Sequence, residues 1–370
     1  MQIIEPAKVI VAMSGGVDSS VAALLLKQAG HEVIGVTMRL YSIDQEKLPA
    51  YYKGCCSIDD VEDARRVCQL LEIPHYVMDV QKEFQKHVID YFLSEYQNGS
   101  TPHPCIACND KIKFSFLLER ANYLGAKYIS TGHHARIQYW NNSYHLLRST
   151  DIQKDQSYVL YGMGQHQLSH TLMPVGWYNK DQIRSMAVEA NFPNANKPDS
   201  QDICFIPFGD YRKFLEQRIN SKPGRLIDHE GNMLGNHLGV ERFTVGQRRG
   251  LGVQSATPLY VTKIDAESGD VTVGPEDQLF QNTLWTSHVK FVSDKAPANG
   301  TKVNIKIRYK SSEVSALLYP KGENVFIQLA TPQKAITPGQ AAVFYNGEEV
   351  LGGGRIASTP KIESIIPSAA

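Results

Sequence analysis

The chain has 370 residues, of which 42% are hydrophobic and 21% are charged, a balance typical of a globular protein with roughly two or three domains. Lysine plus arginine and aspartate plus glutamate both number 38, so the formal net charge is zero. A protein that binds nucleic acid through its overall charge is usually basic, so any RNA contact must come from a local patch.

No basic stretch precedes a signal-length apolar core at the N-terminus, and no apolar run approaches membrane-spanning length. We therefore expect a cytoplasmic protein without a membrane partner. The six cysteines of such a chain favour metal binding or catalysis over a disulfide framework.

A buried strand, a glycine turn and a helix follow one another at the start of the chain. Residues 9–13 (VIVAM) predict the strand, the letters SGGVDSS follow, and the pattern of residues 17–29 predicts a helix that stops at Gly30. Gly15 and Gly16 allow backbone N–H groups to converge on a phosphate at the helix N-terminus. No Lys-Ser/Thr pair closes the motif, so it is not the common P-loop. An ordinary strand–turn–helix is the alternative.

Strands and helices alternate from residue 8 to about residue 206. The predicted order is strand 31–40, helix 59–71, strand 75–80, helix 111–124 and strand 127–132. This alternation predicts a doubly wound parallel sheet. Ligands of such a sheet bind beyond the carboxyl ends of its strands, where Met13, Leu40, Val80 and Thr131 lead into loops.

The remainder of the chain has a different pattern. Residues 217–252 are rich in Gly, Arg and His and predict a small separate domain. Short alternating runs from about residue 282 predict a β-barrel or sandwich. We therefore divide the chain into a catalytic α/β domain (1–215), a small central domain that binds RNA (216–281) and a C-terminal β-barrel (282–370).

Three of the cysteines are candidates for chemistry. Cys105 and Cys108 form a Cys-x-x-Cys that we place directly ahead of a helix capped by Asn109 or Asp110. The positive end of a helix lowers the pKa of a thiol such as that of Cys108. Cys204 lies in a short apolar stretch far along the chain. Three cysteines around one site suit either sulfur transfer or an iron–sulfur cluster.

The other three cysteines are predicted to be structural. Cys68 lies on an apolar helix face and is expected to be buried. Cys55 and Cys56 are neighbours in the chain, and vicinal cysteines rarely bind one metal together. No second Cys-x-x-Cys or His pair completes a zinc site with Cys105 and Cys108.

Several motifs occur in a fixed order along nearly the whole chain. They are SGGVDSS at 14–20, PCIACN at 104–109, TGH at 131–133, DIQKDQSY at 151–158, ICF at 203–205, FTVGQRRGLG at 243–252 and TPGQA at 337–341. On these motifs the chain resembles the tRNA-specific 2-thiouridylases, enzymes whose pyrophosphatase loop (PP-loop) splits ATP into AMP and pyrophosphate.

The resemblance implies sulfur insertion at position 2 of the wobble uridine in tRNAs for Lys, Glu and Gln. ATP would adenylate the uracil 2-oxygen, and a cysteine persulfide would then deliver sulfur as AMP leaves. The implied cofactors are ATP and Mg²⁺. The implied partners are tRNA and a persulfide-donating sulfur-relay protein or cysteine desulfurase.

The resemblance also assigns site residues. Cys108 matches the family nucleophile and Cys204 the persulfide carrier, and the two would form a disulfide after transfer. Asp18 would position magnesium. The residues implied to hold ATP are Ala12, Met13, Ser14, Gly15, Gly16, Val17, Asp18, Ser19, Met38 and Gly132. The residues implied to contact or recognise tRNA are His103, Pro104, Cys105, His133, Lys154, Asp155, Gln156, Arg308, Tyr309 and Gln340.

Three positions depart from the common family pattern. His103 stands where many members have Asn, His134 where Tyr is common, and Cys105 where some members have Asp. Cys105 opens a second mechanism, in which it binds an iron–sulfur cluster together with Cys108 and Cys204. Two further alternatives are another PP-loop adenylating ligase and an RNA-binding module without catalysis.

Overall fold

The structure is a computed structural model that describes residues 5–41, 58–199, 203–206 and 210–358. Within these ranges the strands, in chain order, are β1 Lys8–Ala12, β2 Glu32–Arg39, β3 His75–Asp79, β4 Tyr128–Ser130, β5 Ala135–Trp140, β6 Ser143–Arg148, β7 Thr171–Leu172, β8 Gly224–Ile227, β9 Met233–His237, β10 Tyr260–Asp265, β11 Asp270–Gly274, β12 Phe280–Phe291, β13 Thr301–Lys306, β14 Val314–Lys321, β15 Asn324–Lys334, β16 Ala341–Asn346 and β17 Glu349–Ile356. Cys55, Cys56 and residues 200–202 lie outside the described residues.

The helices are numbered in the same way. They are α1 Val17–Gln28, α2 Ile58–Leu70, α3 over residues 81–97 with a π-helical segment at Gln85–Ile89, α4 over residues 104–123 with a π-helical segment at Cys108–Phe116, α5 Gln165–Ser169, α6 Lys180–Glu189 and α7 Tyr211–Glu216. Short 3₁₀ turns lie at Ser157–Leu160, Pro174–Trp177, Val240–Arg242 and Glu276–Leu279. No helix of the described ranges is both long and apolar enough to cross a membrane.

The predicted doubly wound sheet is confirmed. Five strands pair in the order β3-β2-β1-β4-β7, and each pairing is parallel. Successive residues of β1 alternate between two cores, because Val9 and Val11 pack with α1, α2 and α6 while Ile10 packs with α3 and α4. Both faces of the sheet are therefore covered, and its carboxyl edge is left for ligands.

The prediction that a helix begins at Lys111 is wrong. Helix α4 begins at Pro104 in the N1 position with His103 as N-cap, and Asn109 donates its side-chain N–H to the carbonyl of Val159 at 3.0 Å rather than capping. Proline is favourable at N1 because its missing N–H would be unpaired there. Cys108 therefore lies inside the helix, at the start of its π-helical segment.

The central and C-terminal parts form two further sheets. The central sheet has the order β10-β11-β8-β9 around its own small core. Strands β12 to β17 form the predicted β-barrel, which closes through the pairing of β12 with β17.

The β5–β6 hairpin leaves the N-terminal domain and extends the barrel sheet. Strand β6 pairs with β17, and the hairpin turns at Asn141 and Asn142, which both have positive φ. Barrel residues such as Val343 and Tyr345 belong to the same core cluster as α3 and α4. The barrel thus packs directly against the cysteine-bearing helix.

Candidate functional site

The SGGVDSS segment forms a tight turn between β1 and α1. Gly15 has a φ of +72°, and a Cβ atom there would lie 2.3 Å from the backbone oxygen of Asp60. Gly16 is the N-cap of α1. The Ser19 hydroxyl donates to the Gly16 carbonyl at 3.0 Å and accepts from the Ser14 N–H at 3.2 Å. This strand–glycine–helix geometry presents N–H groups and a helix N-terminus to an anion.

Asp18, in the first turn of α1, is held by a lysine and a histidine. The Nζ atom of Lys180 lies 2.7 and 2.9 Å from its two carboxylate oxygens, and Nε2 of His134 lies 3.1 Å from Oδ1. Burial alone would raise the pKa of the Asp18 carboxyl, but the hydrogen bond and charge of His134 and the charge of Lys180 bring it below its ordinary value. Asp18 is therefore an ionised carboxylate with strong donors.

Asp199 joins Lys180 to two further cations. Its Oδ1 lies 2.7 Å from Lys180 and 3.2 Å from Arg184, and its Oδ2 accepts from Lys154 at 2.8 Å. Burial alone would raise the pKa of Asp199, but the hydrogen bonds from Lys154 and Lys180 lower it to about 2. Lys154, Lys180 and Arg184 thus bring three cations together beside the loop, an arrangement that suits a polyphosphate.

Gly132 and Gln156 come together beside the loop. A Cβ atom on Gly132 would lie 2.6 Å from the Ser19 nitrogen, so the chain after β4 packs directly on the start of α1. Gln156 accepts from the His134 N–H at 2.8 Å and donates its own N–H to the His134 carbonyl at 2.9 Å. A residue predicted to hold ATP and one predicted to contact tRNA are therefore neighbours.

Several residues that contact the PP-loop were not predicted from the sequence. Asn194 donates to the carbonyl of Gly15 at 2.9 Å and to the Ser20 hydroxyl at 3.0 Å, and Lys197 lies 2.7 Å from a carboxylate oxygen of Asp60. Their only signal was a polar run between turn formers, a pattern that solvated loops share. Lys180 gave no signal, because a lysine in the first turn of a helix is ordinary.

Met38 lies at the end of β2 and borders a cleft of about 250 Å³ between β2 and α2. Helix α2 also carries Asp60, whose backbone lies against Gly15. The predicted neighbour of adenine and ribose therefore borders a cleft lined by α2, the same helix whose backbone contacts the PP-loop.

The cysteines divide between the two faces of the sheet. Cys108 is buried and belongs to the core cluster of α3 and α4, and Cys204, which is half-buried, packs against the same cluster. Cys105 is exposed in the first turn of α4. Because the helix dipole acts mainly within the first turn and the helix begins at Pro104, Cys108 lies beyond the position on which its predicted activation depended. Cys68 lies in the opposite cluster, where burial raises the pKa of its thiol to about 12, so its predicted structural role is confirmed.

The side chains as placed do not fit a metal centre. Among the described residues, no group of three or more His, Cys, Asp or Glu side chains is arranged to hold a metal ion. Cys105, Cys108 and Cys204 are all described and form no such group. Both oxygens of Asp18 accept from Lys180, so a magnesium ion there would have to displace the lysine.

The segment before α4 is tied to the barrel. The His103 ring lies 5.9 Å from that of Tyr158 and 6.4 Å from that of Tyr309, and Gln340 donates to the Thr101 carbonyl at 2.8 Å. Burial lowers the pKa of His103 to about 4, so its imidazole is neutral at pH 7. Its Nδ1 atom is buried and has no hydrogen-bond partner among the described residues.

Three predicted tRNA contacts make hydrogen bonds inside the fold. Arg308 donates to the Lys334 carbonyl at 2.9 Å, and burial lowers its pKa. Asp155 accepts from the N–H and hydroxyl of Ser157 at 3.1 and 2.8 Å. His133 is buried, and burial holds its pKa well below the usual range. These side chains support the loops around the site in this conformation.

The three parts of the chain match three family models. They are described as the tRNA methyl transferase HUP domain, over residues 7–208, the tRNA methyl transferase PRC-barrel domain, over 212–275, and the aminomethyltransferase beta-barrel domain, over 281–356. The first match alone covers more than half of the chain.

Curated relatives extend this similarity to nearly the full length. The tRNA-specific 2-thiouridylase MnmA of Halothermothrix orenii is 47% identical over 353 residues, covering 94% of this chain and 98% of the relative. The proteins of the same name from Acetivibrio thermocellus and Roseiflexus sp. are each 46% identical, covering 94% and 95% of this chain and 99% of each relative. The family models mention methyl transfer, whereas these full-length relatives share the thiouridylase name. On identity and coverage together, the chain belongs to the tRNA-specific 2-thiouridylase family.

Proposed function

We propose that this protein is an ATP-dependent tRNA sulfurtransferase that makes 2-thiouridine at the wobble position of tRNAs for Lys, Glu and Gln. One observation carries the proposal: Cys108 and Cys204, far apart in the sequence, both pack in the core cluster that covers one face of the sheet. Family membership and the printed names of the full-length relatives support the same substrate and reaction.

ATP binds across the carboxyl edge of the sheet. The phosphates lie on the N–H groups of the loop, and the lysine and arginine side chains around Asp199 compensate their charge. The adenosine lies between Met38 and Gly132. The full set of ATP contacts is Ala12, Met13, Ser14, Gly15, Gly16, Val17, Asp18, Ser19, Met38 and Gly132. Magnesium enters, where it is needed, with the nucleotide rather than on Asp18.

The uracil 2-oxygen attacks the α-phosphate of ATP, forming the O2–phosphorus bond and releasing pyrophosphate. This step converts a poor leaving group into AMP. A persulfide on Cys204 then attacks C2 with its terminal sulfur, and AMP departs. The Cys108 thiolate attacks the Cys204 sulfur, so the electrons of the S–S bond pass to the sulfur on C2 and a Cys108–Cys204 disulfide forms. An external thiol reduces this disulfide before the next cycle.

The two cysteines have different starting environments. Cys204 is half-buried and therefore receives sulfur from a persulfide-donating relay protein or a cysteine desulfurase. Cys108 is buried, which protects its sulfur atom from competing oxidants until the base is in place. A loop movement brings the two sulfur atoms into bonding distance.

The target base enters beside the N-terminus of α4. His103, Pro104 and Cys105 face it, and the aromatic rings of Tyr158 and Tyr309 flank His103. Lys154, Asp155, Gln156, Arg308 and Tyr309 line the RNA path, with His133 and Gln340 supporting it. The central domain and the barrel extend the RNA-binding face.

The test is anaerobic thiolation of an anticodon-arm transcript with ATP and a persulfide source. Thiolated uridine is measured by mass spectrometry for the wild type and for the Cys108→Ala, Cys204→Ala, Cys105→Ala and Cys68→Ala variants. We expect loss of product with the first two changes only, Cys68→Ala being the control for a buried thiol outside the site.

Other outcomes identify the alternatives. Loss of product with Cys105→Ala as well, together with a visible chromophore, indicates an iron–sulfur mechanism. Pyrophosphate release that is independent of tRNA and of Cys108 indicates another adenylating ligase. Binding of tRNA without any pyrophosphate release indicates an RNA-binding module.

A further inference from the structure

Four arginines near the junction of the sheet domain and the central domain lack a carboxylate partner among the described residues. They are Arg212 and Arg218, in and just after α7, and Arg248 and Arg249, on the loop that follows the Val240–Arg242 turn. We call these four residues the junction patch. In contrast, Arg225 of the same domain makes two hydrogen bonds of 2.8 Å to Asp270. The net charge of the chain is zero, but no ion pair among the described residues neutralises these four guanidinium groups.

The loop that carries Arg248 and Arg249 is shaped to present them to solvent. Gly246, Gly250 and Gly252 have φ values of +90°, +75° and +74°. The Gln247 side chain accepts from the Thr244 N–H at 3.1 Å and donates to the Arg249 carbonyl at 3.0 Å, which ties the backbone of the loop to itself. Both arginines are exposed. The backbone is therefore braced while the two guanidinium groups face water.

Two contacts connect the junction patch to the candidate active site, and a third lies within the patch. The hydroxyl of Thr101 donates to that of Thr244 at 3.2 Å. Thr101 lies two residues before His103, the N-cap of the cysteine-bearing helix α4. Arg218 donates to the Tyr41 hydroxyl at 2.8 Å, and Tyr41 follows β2 at the carboxyl edge of the sheet.

The third contact closes the patch on itself. A Cβ atom on Gly250 would lie 3.5 Å from Nη1 of Arg212, so α7 and the arginine loop touch. The elements that carry the patch therefore contact both Tyr41, which follows β2, and Thr101, which precedes α4.

We propose that the junction patch binds RNA phosphate groups next to the base that enters the active site. This inference rests on the proposed function, because it takes tRNA as the substrate. Guanidinium groups bind phosphate oxygens in a bidentate manner, and arginines without a carboxylate partner lose no ion pair when they do so. A base placed beside α4 brings its own flanking phosphates to this face, which favours RNA over an acidic protein as the occupant.

The experiment measures binding of an unmodified anticodon-arm transcript at salt concentrations between about 50 and 200 mM. The variant is Arg248→Ala/Arg249→Ala. Each phosphate contact contributes about 0.7 to 0.9 to the slope of log K against log salt, so two lost contacts reduce the slope by about 1.5. This reduction in slope corresponds to a loss of tRNA affinity of about thirtyfold at about 0.1 M salt.

Two controls separate charge from structure. Arg225→Ala removes an exposed but paired arginine from the same domain, and we expect its slope and affinity to match those of the wild type. Arg248→Lys/Arg249→Lys keeps the charge, and we expect it to retain most of the slope. ATP affinity is measured for every variant and should not change.

The outcomes distinguish this inference from the proposed function. If the wild type binds no tRNA, the proposed function fails. If the wild type binds tRNA and the double alanine variant keeps its salt slope, the junction patch is not a phosphate site. If the variant binds tRNA normally but no longer accepts sulfur from a donor protein, the patch docks an acidic protein and the inference is overturned.

Discussion

Replacing Lys180 with methionine tests whether this lysine supplies positive charge for the nucleotide. The ammonium group contacts both oxygens of Asp18, at 2.7 and 2.9 Å, and one oxygen of Asp199 at 2.7 Å, while only 9% of the side chain is exposed. Methionine keeps most of the apolar stem and removes the charge. The PP-loop itself contains no lysine, and Lys180 and Lys197 are lysines from outside it that contact loop residues, at Asp18 and at the Gly15 carbonyl.

The magnitude follows from the burial and the contacts. A charge-assisted hydrogen bond to a phosphate is worth about 1.5 to 3 kcal/mol, which weakens ATP binding about 10- to 150-fold. The free energy of unfolding falls less than the 3–5 kcal/mol typical of a broken buried pair. Asp18 is 28% exposed and keeps its contact with His134, so we expect a loss of about 1–2 kcal/mol.

The assay is equilibrium binding of α,β-methylene ATP, which resists the cleavage, together with urea unfolding. Lys8→Met is the matched control, because Lys8 pairs with Glu32 at 3.3 Å at the start of β1, at the opposite edge of the sheet. We expect it to bind the nucleotide like the wild type. An Asp18→Asn/Lys180→Met double variant should recover stability but not affinity. A nucleotide affinity of Lys180→Met within twofold of that of the wild type would refute the reasoning. If the double variant recovered nucleotide affinity as well as stability, Lys180 would serve only to neutralise Asp18.

Three further predictions address the loop and two titrating groups. Gly15→Ala should lower the free energy of unfolding by about 2–4 kcal/mol, because the backbone strain of a positive φ and a clash with Asp60 act together. Gly125→Ala is the control, since Gly125 has a φ of +68° but open space around it, and should cost about 1 kcal/mol. Equal losses for the two variants in urea unfolding would contradict the clash. The pKa of Asp199 is about 2 in the fold, so the ionised carboxylate contributes to the free energy of unfolding above pH about 4, and this contribution is lost as the pH falls towards 2. The Asp199→Asn variant should lack this part of the pH dependence of unfolding. A pH profile identical to that of the wild type would contradict the prediction. The pKa of His103 is about 4 in the fold, so protonation favours unfolding and the wild type should lose stability from pH about 6.5 to 4. His103→Asn should make that decline smaller, while His133, whose pKa is also lowered by burial, keeps its own part. A decline as steep as that of the wild type would place the titration outside His103.

The local parts of the site could be predicted from the sequence. The glycine turn after β1 follows from a buried strand and the need for a positive φ, and Gly15 has it. The stop of α1 at Gly30, with φ of +84°, follows from the same rule. These predictions succeeded because a few adjacent residues decide the conformation.

The predicted start of α4, at Lys111, was wrong, although the sequence contains a signal for the observed start at Pro104. Pro104 is a favourable N1 residue, but the two cysteines that follow suggested a loop in front of the helix. The π-helical segment at Cys108–Phe116 has no comparable signal, because it depends on how the helix packs in the core. A shift of the helix start by seven residues moved the expected dipole effect from Cys105 to Cys108.

Charges that meet across long stretches of sequence could not be predicted. Asp18 and Lys180 are held together by the packing of α1 against α6, and Asp199 follows α6 by ten residues. Each of these side chains alone is indistinguishable from a solvated surface charge. The β5–β6 hairpin had a turn signal in Asn141 and Asn142, yet its partner β17 lies far along the chain, and alternation of strands and helices suggested no antiparallel pair.

The barrel cannot be separated from the cysteine chemistry by deletion. Val343, Tyr345 and Val350 of the barrel belong to the same core cluster as Cys108, and the Tyr158 hydroxyl donates to the Ala341 carbonyl at 2.8 Å. Removing the barrel would expose this apolar surface and leave the β5–β6 hairpin without its neighbour β17. A truncated chain would therefore lose sulfur transfer through damage to the Cys108 environment even if the barrel touched no RNA. Arg248 and Arg249 are exposed and lie outside this cluster, so substituting them tests RNA binding while leaving the cysteine core intact.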